Sequence, residues 1–351
     1  GPVSVKKQIL RAQTKEMITH RGKQYQELYR PIIEELKKML NAESVHILTG
    51  SGTAAIEANI QNALPNNGKA LVLSNGAFGD RLYEHCKLYY DTKFERLKGA
   101  KGWELQNAKQ IIDNAAQEGV QLLAIVHHET SPGILNKFSE ICNYAKSKGM
   151  LTLVDGTSAF PAYPLNHKQD CVDFYSFASQ KALGCPPGIS IVSLSQDAIN
   201  AINSSPVRCN YLNLKAFEKK QNEKFENPNT PAISLIYALH EALSLLKKEG
   251  HEKFMKKHKR WANYARKEIK KMGFETFVEK KFQSNTIIPF YTSKNKELNS
   301  LLQKKYGVKL GGGHADWKET SLRFCIMGDL NMAKIKKGLK ALENAKKELS
   351  I

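Results

Sequence analysis

Leu151-Thr-Leu-Val-Asp-Gly156 is an apolar run that stops abruptly on a carboxylate and a glycine. Three other short runs share its character: Val45-His-Ile-Leu48, Ala70-Leu-Val-Leu73 and Leu122-Leu-Ala-Ile-Val126. Each is followed by a polar or glycine-bearing turn, and helical patterns separate them. Continuous apolar runs of this length read as strands buried on both faces. Alternation with helices then predicts a mainly parallel sheet with helical crossovers, from Ser44 to about Leu194. In such a sheet ligands bind at the carboxyl ends of the strands. That rule directs attention to Asp155, and to Lys181 in Ser176-Phe-Ala-Ser-Gln-Lys-Ala-Leu-Gly-Cys-Pro-Pro-Gly188.

The flanking regions complete an α/β plan. Leu28, Ile32, Ile33, Leu36 and Leu40 have helical spacing, so an amphipathic helix is expected near Tyr25 to Leu40, after an irregular start. Ser195 to Glu226 reads as polar helix, Asn227-Pro-Asn-Thr-Pro231 as a turn, and Ile233 to Leu246 as an apolar helix. A lysine-rich helix follows to about Met272. The remainder predicts strands at Phe274–Val278, Asn285–Phe290 and Leu322–Ile326 with helices between and after them, a small α/β unit.

Composition excludes several classes. The 351 residues, 41% hydrophobic, suit one large and one small domain of a globular protein. No stretch reaches the roughly 18 apolar residues of a membrane span. Gly1-Pro-Val-Ser-Val-Lys-Lys lacks the apolar core of a signal peptide. The six cysteines are scattered, with neither a Cys-x-x-Cys pair nor zinc spacing, so reduced thiols and a cytoplasmic location are expected. Cys185, near Lys181, reads as small apolar filler. The net charge of +19 raises nucleic-acid binding. The lysines, however, are mixed with glutamates along helices, as in Lys253-Phe-Met-Lys-Lys-His-Lys-Arg260 and Lys334-Ile-Lys-Lys337, which is the pattern of solvated faces.

The strand-end turns carry the chemistry. Thr49-Gly-Ser-Gly-Thr53 opens a helix, where exposed amides and the positive dipole end favour phosphate, with the Ser51 and Thr53 hydroxyls beside them. Taken alone it is often only a cap and turn. Phe78, in Asn75-Gly-Ala-Phe-Gly-Asp-Arg81, could stack on a planar ring or simply fill the core. His127 and His128 are adjacent on a strand and face opposite ways, so they do not share a metal. Thr130 and Ser131 are expected as hydroxyl donors to a ligand. Arg323 lies within an apolar strand and needs an anion, either a substrate carboxylate or a structural salt bridge. A lysine and an aspartate at strand ends suit pyridoxal phosphate, which needs an amine for its Schiff base and an acid to keep its ring nitrogen protonated.

With these stretches in hand, the chain resembles the class V, fold-type I pyridoxal-phosphate aminotransferases, most closely the alanine/serine–glyoxylate (serine–pyruvate) branch. Gly1-Pro-Val-Ser-Val5, Met17-Ile-Thr-His-Arg21, Gly50-Ser-Gly-Thr53, Asn75-Gly-Ala-Phe-Gly79, His128-Glu-Thr-Ser131, Val154-Asp155, Ser179 to Gly188 and Ser321 to Gly328 fall in the family's order, over essentially the whole chain. The Lys181 stretch is the specific one. The resemblance implies a large domain (residues 21–240) with a mainly parallel seven-stranded sheet, a small C-terminal α/β domain (241–351), and an N-terminal segment (1–20) that contributes to the site. It implies that Lys181 is the Schiff-base lysine and proton shuttle, and that Asp155 is the partner of the ring nitrogen. Phe78 would stack on the ring, where relatives often carry Trp or Tyr. Ser51, Gly52 and Thr53, with Gln180 beside them, would bind the phosphate, and Thr130 and Thr157 would lie at the ring. Arg323 would clamp the substrate carboxylate. Thr230 would reach the neighbouring subunit's phosphate, which implies a homodimer. The family's tyrosine just before that threonine is replaced around Asn227.

The implied activity is transfer of an amino group from alanine or serine to glyoxylate or pyruvate. 2-Aminoethylphosphonate–pyruvate transaminases share the Asn75 and His127 stretches, and an aspartate aminotransferase of this class fits as well. Cysteine desulfurases share the fold, but Cys325 sits inside an apparent strand rather than on a mobile loop. A basic binding protein on an inactive scaffold is disfavoured, because Lys181 and Asp155 are both present. No metal, membrane or specific nucleic-acid partner is expected.

Overall fold

The computed structural model describes residues 1–351. Twelve strands run β1 Ser44–Thr49, β2 Lys69–Ser74, β3 Asp91–Arg96, β4 Leu122–Val126, β5 His128–Glu129, β6 Ile134–Leu135, β7 Leu151–Asp155, β8 Phe174–Ala178, β9 Ile189–Leu194, β10 Ile287–Tyr291, β11 Gly311–Gly312 and β12 Ser321–Cys325. The helices are α1 Lys7–Ala12, α2 Lys23–Leu40, α3 Gly52–Ala63, α4 Ala77–Cys86, α5 Leu105–Gln117, α6 Phe138–Ser147, α7 Gln196–Ser204, α8 Leu214–Lys224, α9 Ile233–Glu249, α10 His251–Lys271, α11 Asn295–Tyr306 and α12 Met332–Glu348.

Seven strands form one sheet in the order β1-β9-β8-β7-β4-β2-β3. From β8 to β3 every pairing is parallel, and only β9 runs against its neighbours. The sheet is therefore mixed α/β and mainly parallel, as the apolar runs required. Both faces are covered. Tyr25, Tyr29, Ile33 and Leu36 of α2 pack with α5, α6 and α9 on one side, and Ala55, Ile56, Leu82 and Phe217 of α3, α4 and α8 cover the other. The strand ends β1, β2, β4, β7 and β8 consequently open onto one edge. A separate antiparallel sheet, β10-β12-β11, packs with α10, α11 and α12 around Ile288, Phe290, Phe324 and Leu342.

Three expectations need correction. Phe274–Val278 is not a strand: it donates no ladder, and its one backbone bond to a strand is Tyr291 N to Glu275 O at 2.9 Å. Its two aromatics serve packing instead, with Phe274 on Phe290 and Phe277 on Tyr291 and Trp317. The third strand of the small sheet is Gly311–Gly312, where the absence of side chains gave no strand signal. The opening stretch also contains a short helix, α1, whose Ile9 and Ala12 are buried. The lysine-rich helices do present solvated faces: Lys253, Lys256, Lys259 and Arg260 are exposed on α10, as are Lys334, Lys336 and Lys337 on α12.

Candidate active site

The strand-end edge gathers the candidate residues. Asp155 closes β7 and is almost fully buried. Its Oδ1 accepts the Thr157 N–H at 2.8 Å, a bond that the tight turn at Gly156 permits. Any side chain at Gly156 would run into the Tyr175 ring. Burial pushes the Asp155 carboxyl up. The Thr157 N–H, and after it the charges of Arg81 and Lys181, pull the other way. Lys181 follows the next strand, β8, in a loop fixed by Cys185 N to Ser179 O at 2.9 Å, Ser179 Oγ to Pro186 O at 2.6 Å, and Val3 N to Gln180 O at 3.3 Å. Burial holds the Lys181 ammonium below its ordinary range, while Asp155 acts to raise it. A lysine poised toward its neutral amine thus shares a site with a buried acid.

Ser51, exposed, precedes α3 and makes no side-chain cap; Ala54 N–H bonds Ser51 O at 2.9 Å, which leaves the Gly52 and Thr53 N–H groups without an intrahelical or capping partner. Gly52 is buried against the Thr157 side chain and Ala178. A Cβ there would come within 3.0 Å of Thr157 Cγ2 and 3.2 Å of Ala178 Cβ. Thr157 Oγ1 and Gln180 Oε1 are buried without a partner. Two orphaned polar atoms beside an uncapped helix N-terminus fit a bound phosphate and an attached polar ring. Thr53 is half-buried in the first turn of α3.

Thr130 lies in the turn after the β5 strand. Its hydroxyl is bonded to Ser158 Oγ, and its carbonyl accepts Arg323 Nη1 at 2.9 Å. Arg323 Nε donates to Gly312 O at 2.8 Å. Its partners are therefore carbonyls. No structural salt bridge neutralises it, and burial lowers its pKa. Phe78 opens α4, with its ring 5.6 Å from that of His314 and with the Arg81 guanidinium 4.9 Å from its centroid. Thr230 stands apart, exposed on its turn, which is fixed by Arg21 Nη1 to Asn227 O at 2.5 Å, Tyr25 Oη to Asn227 Oδ1 and Asn227 Nδ2 to Ile47 O at 2.9 Å.

Some residues take other roles. Ser131 Oγ donates to Glu129 at 2.6 Å and accepts Ala77 N–H, so it is not a free ligand donor. His127 packs against Phe138 and Tyr175, whereas His128 bonds the Ser158 carbonyl. Cys185 is buried with its thiol on Ala238 O, the filler its sequence suggested. Glu129, Ser158 and His314 were missed. Glu129 lay inside a quoted motif, but its carboxylate faces the start of α4, a pairing fixed only by the β2–β4 adjacency. Nothing around His314 in sequence marks it.

Known proteins agree with this architecture. The family described as "Aminotransferase class-V" matches residues 6–324. An uncharacterized aminotransferase of Methanocaldococcus jannaschii is 32% identical over 99% of this chain and 92% of its own length. A 2-aminoethylphosphonate–pyruvate transaminase of Bacillus cereus is 29% identical over 81% of this chain and 79% of its length. The crystal structure of an alanine–glyoxylate aminotransferase from Nostoc sp. superposes with a TM-score of 0.92 at 25% identity, covering 98% of this chain and 93% of that one. The chain thus belongs to the class V aminotransferases, pyridoxal-phosphate enzymes of fold type I.

Proposed function

We propose that this enzyme moves an amino group between a small amino acid, alanine or serine, and a 2-oxo acid, glyoxylate or pyruvate, in two half-reactions that reuse one site. One observation carries the assignment: a lysine shifted toward its free amine and a buried aspartate occupy adjacent strand ends. Likeness to the Nostoc alanine–glyoxylate enzyme favours these substrates. Pyridoxal phosphate supplies, when bound, a carbonyl that exchanges with an amine and a ring that accepts an electron pair. Ser51, Gly52 and Thr53 would hold its phosphate, with Gln180 alongside. Thr130 and Thr157 would orient the ring and Phe78 would cover it. Asp155 would hold a proton at the ring nitrogen. Lys181 Nζ would take the proton from the substrate α-carbon and return it on the next step. Arg323 would grip the substrate carboxylate with the guanidinium edge its two carbonyl bonds leave free.

We further propose the division into residues 1–20, 21–240 and 241–351, a cytoplasmic location, and a homodimer in which Thr230 completes the partner's phosphate site. Exposed Met17, Val207 and Tyr211 support the last of these. Sedimentation of the holoenzyme as a monomer would remove the shared site. The central test is Lys181→Ala. The variant should fold, lose the visible absorbance of the lysine-linked cofactor, and drop turnover by at least roughly 10²–10⁴-fold on a panel of alanine, serine, aspartate and 2-aminoethylphosphonate with glyoxylate and pyruvate. Retained turnover with any donor refutes the role. The Bacillus cereus relative makes the aminoethylphosphonate arm a necessary one.

A further inference from the structure

Arg323 and the residues it must work with belong to different sheets. Asp155 ends β7 and Lys181 follows β8, both of the large sheet, whereas Arg323 lies in β12 of the small one. A substrate that reacts at Lys181 while Arg323 holds its carboxylate spans the two. The spacing between the sheets is therefore part of the site, and small errors in it are costly. The bond from Arg323 Nη1 to Thr130 O, at 2.9 Å, registers the guanidinium on the strand-end edge of the large sheet.

The Thr130 turn is in turn held by a clamp between residues 128 and 158. His128 Nδ1 lies 3.0 Å from Ser158 O, nearer than Thr286 Oγ1 at 3.5 Å. A carbonyl can only accept, so Nδ1 carries the ring proton. Ser158 Oγ returns a bond to His128 O at 3.2 Å and is also bonded to the Thr130 hydroxyl. All three residues are buried. Ser158 stands one residue after Thr157, whose N–H Asp155 accepts. Its turn is fixed to β8 by Gly156 N to Ser176 O at 2.8 Å and closed by Ala159 N to Gly156 O at 2.9 Å. Contacts thus run unbroken from Asp155 through Thr157, Ser158 and Thr130 to Arg323. Burial lowers His128 to about 4, and the charges of Lys181 and Arg323 act in the same direction. The clamp therefore adds no third cation beside them.

We propose that Ser158 and His128 are positioning residues: their clamp sets where the Thr130 carbonyl meets Arg323, and so sets the distance from the carboxylate grip to the catalytic lysine. This rests on the transaminase assignment and adds two residues to it, neither of which touches the reacting atoms. Gly312 O holds Arg323 Nε independently, so loss of the clamp loosens the guanidinium without freeing it.

The test uses the holoenzyme with the best donor and acceptor of the substrate panel. Ser158→Ala and His128→Leu should each raise KM for both substrates about tenfold, the worth of one well-oriented hydrogen bond, while kcat falls about twofold at most. Propionate, a non-reacting carboxylate titrated by calorimetry, should bind each variant about tenfold more weakly. His128→Asn keeps a donor near the Nδ1 position and should stay within about threefold of the wild type. Ser158→Ala combined with His128→Leu should lose about tenfold, not about a hundredfold, because both changes open one clamp. Unchanged KM and propionate affinity, a fall in kcat alone, an Asn variant as impaired as the Leu one, or losses that multiply would each overturn the positioning role. So would a wild type that binds no propionate. If His128→Leu does not take up cofactor, Ser158→Ala carries the test. Absence of turnover with every donor would overturn the transaminase assignment, and propionate binding would still decide the clamp.

Discussion

At the scale of single residues, Glu129 shows how much depends on a group whose motif gives no hint of its role. It is fully buried and forms no ion pair, although the Arg323 guanidinium lies within its field. Oε2 accepts the N–H groups of Phe78 and Gly79 at 3.1 and 2.9 Å, and Oε1 accepts those of Ser131 backbone and hydroxyl at 3.1 and 2.6 Å. Burial pushes its carboxyl up, while these donors favour the ionised form. The carboxylate caps the start of α4 and thereby sets where Phe78 stands. Glu129→Gln replaces one accepting oxygen with a donor aimed at N–H groups, and each donor left unpaired costs roughly 1–3 kcal/mol. We expect a lowered Tm together with a shifted visible spectrum and near-ultraviolet dichroism of the bound cofactor. The spectral change reports on Phe78 itself. A variant that only melts earlier, with an unchanged spectrum, would reduce Glu129 to a structural cap.

At the scale of elements, legibility followed the strength of local pattern. Strands buried on both faces have little freedom in composition, so β2, β4 and β7 stood out as apolar runs, and their carboxyl ends fixed where to look. Lys181 and Asp155 were readable for that reason: each terminates such a run. Elements that owe their form to distant neighbours were not. Phe274–Val278 lies along the free edge of β10, but its aromatics are committed to Phe290, Tyr291 and Trp317, and it shares only the Tyr291 N to Glu275 O bond with that edge. Gly311–Gly312 pairs with Leu322 and Arg323 because β12 offers a free edge, not because two glycines favour extension. The same logic separates Thr130 from Ser131. Both carry hydroxyls in one turn, but only the fold decides that Thr130 bonds another hydroxyl, Ser158, while Ser131 is committed to the Glu129 carboxylate. The partners of Arg323 were equally hidden, since Thr130 and Gly312 are distant from it in sequence.

At the scale of the whole molecule, four buried histidines set an acid limit that a simple count of charges does not suggest. Burial lowers His127 to about 3 and His128, His167 and His258 to about 4. His167 shows why. Its Nδ1 lies 2.6 Å from Val172 O and its Nε2 2.8 Å from Ser193 Oγ, so the neutral ring is fully hydrogen-bonded, and no carboxylate is there to offset the cost of burying a charge. In the unfolded chain each would titrate near 6.5. Depressed folded values mean that the unfolded state binds more protons below that pH, so stability is full above about 6.5 and falls as pH drops toward 4. Each ring contributes about 1.4 kcal/mol of loss between pH 7.5 and 5.5, roughly 5 kcal/mol for the four, against a typical total of about 5–15 kcal/mol. Ordinary carboxylates are still ionised in both states at pH 5.5, so they add little in that window. Urea unfolding at pH 7.5 and 5.5, at fixed protein and cofactor concentration, should therefore show a lower midpoint at the acid pH with the slope unchanged. A midpoint that stays put would mean the four rings protonate inside the fold, and that the hydrogen bonds of His167 rearrange to allow it.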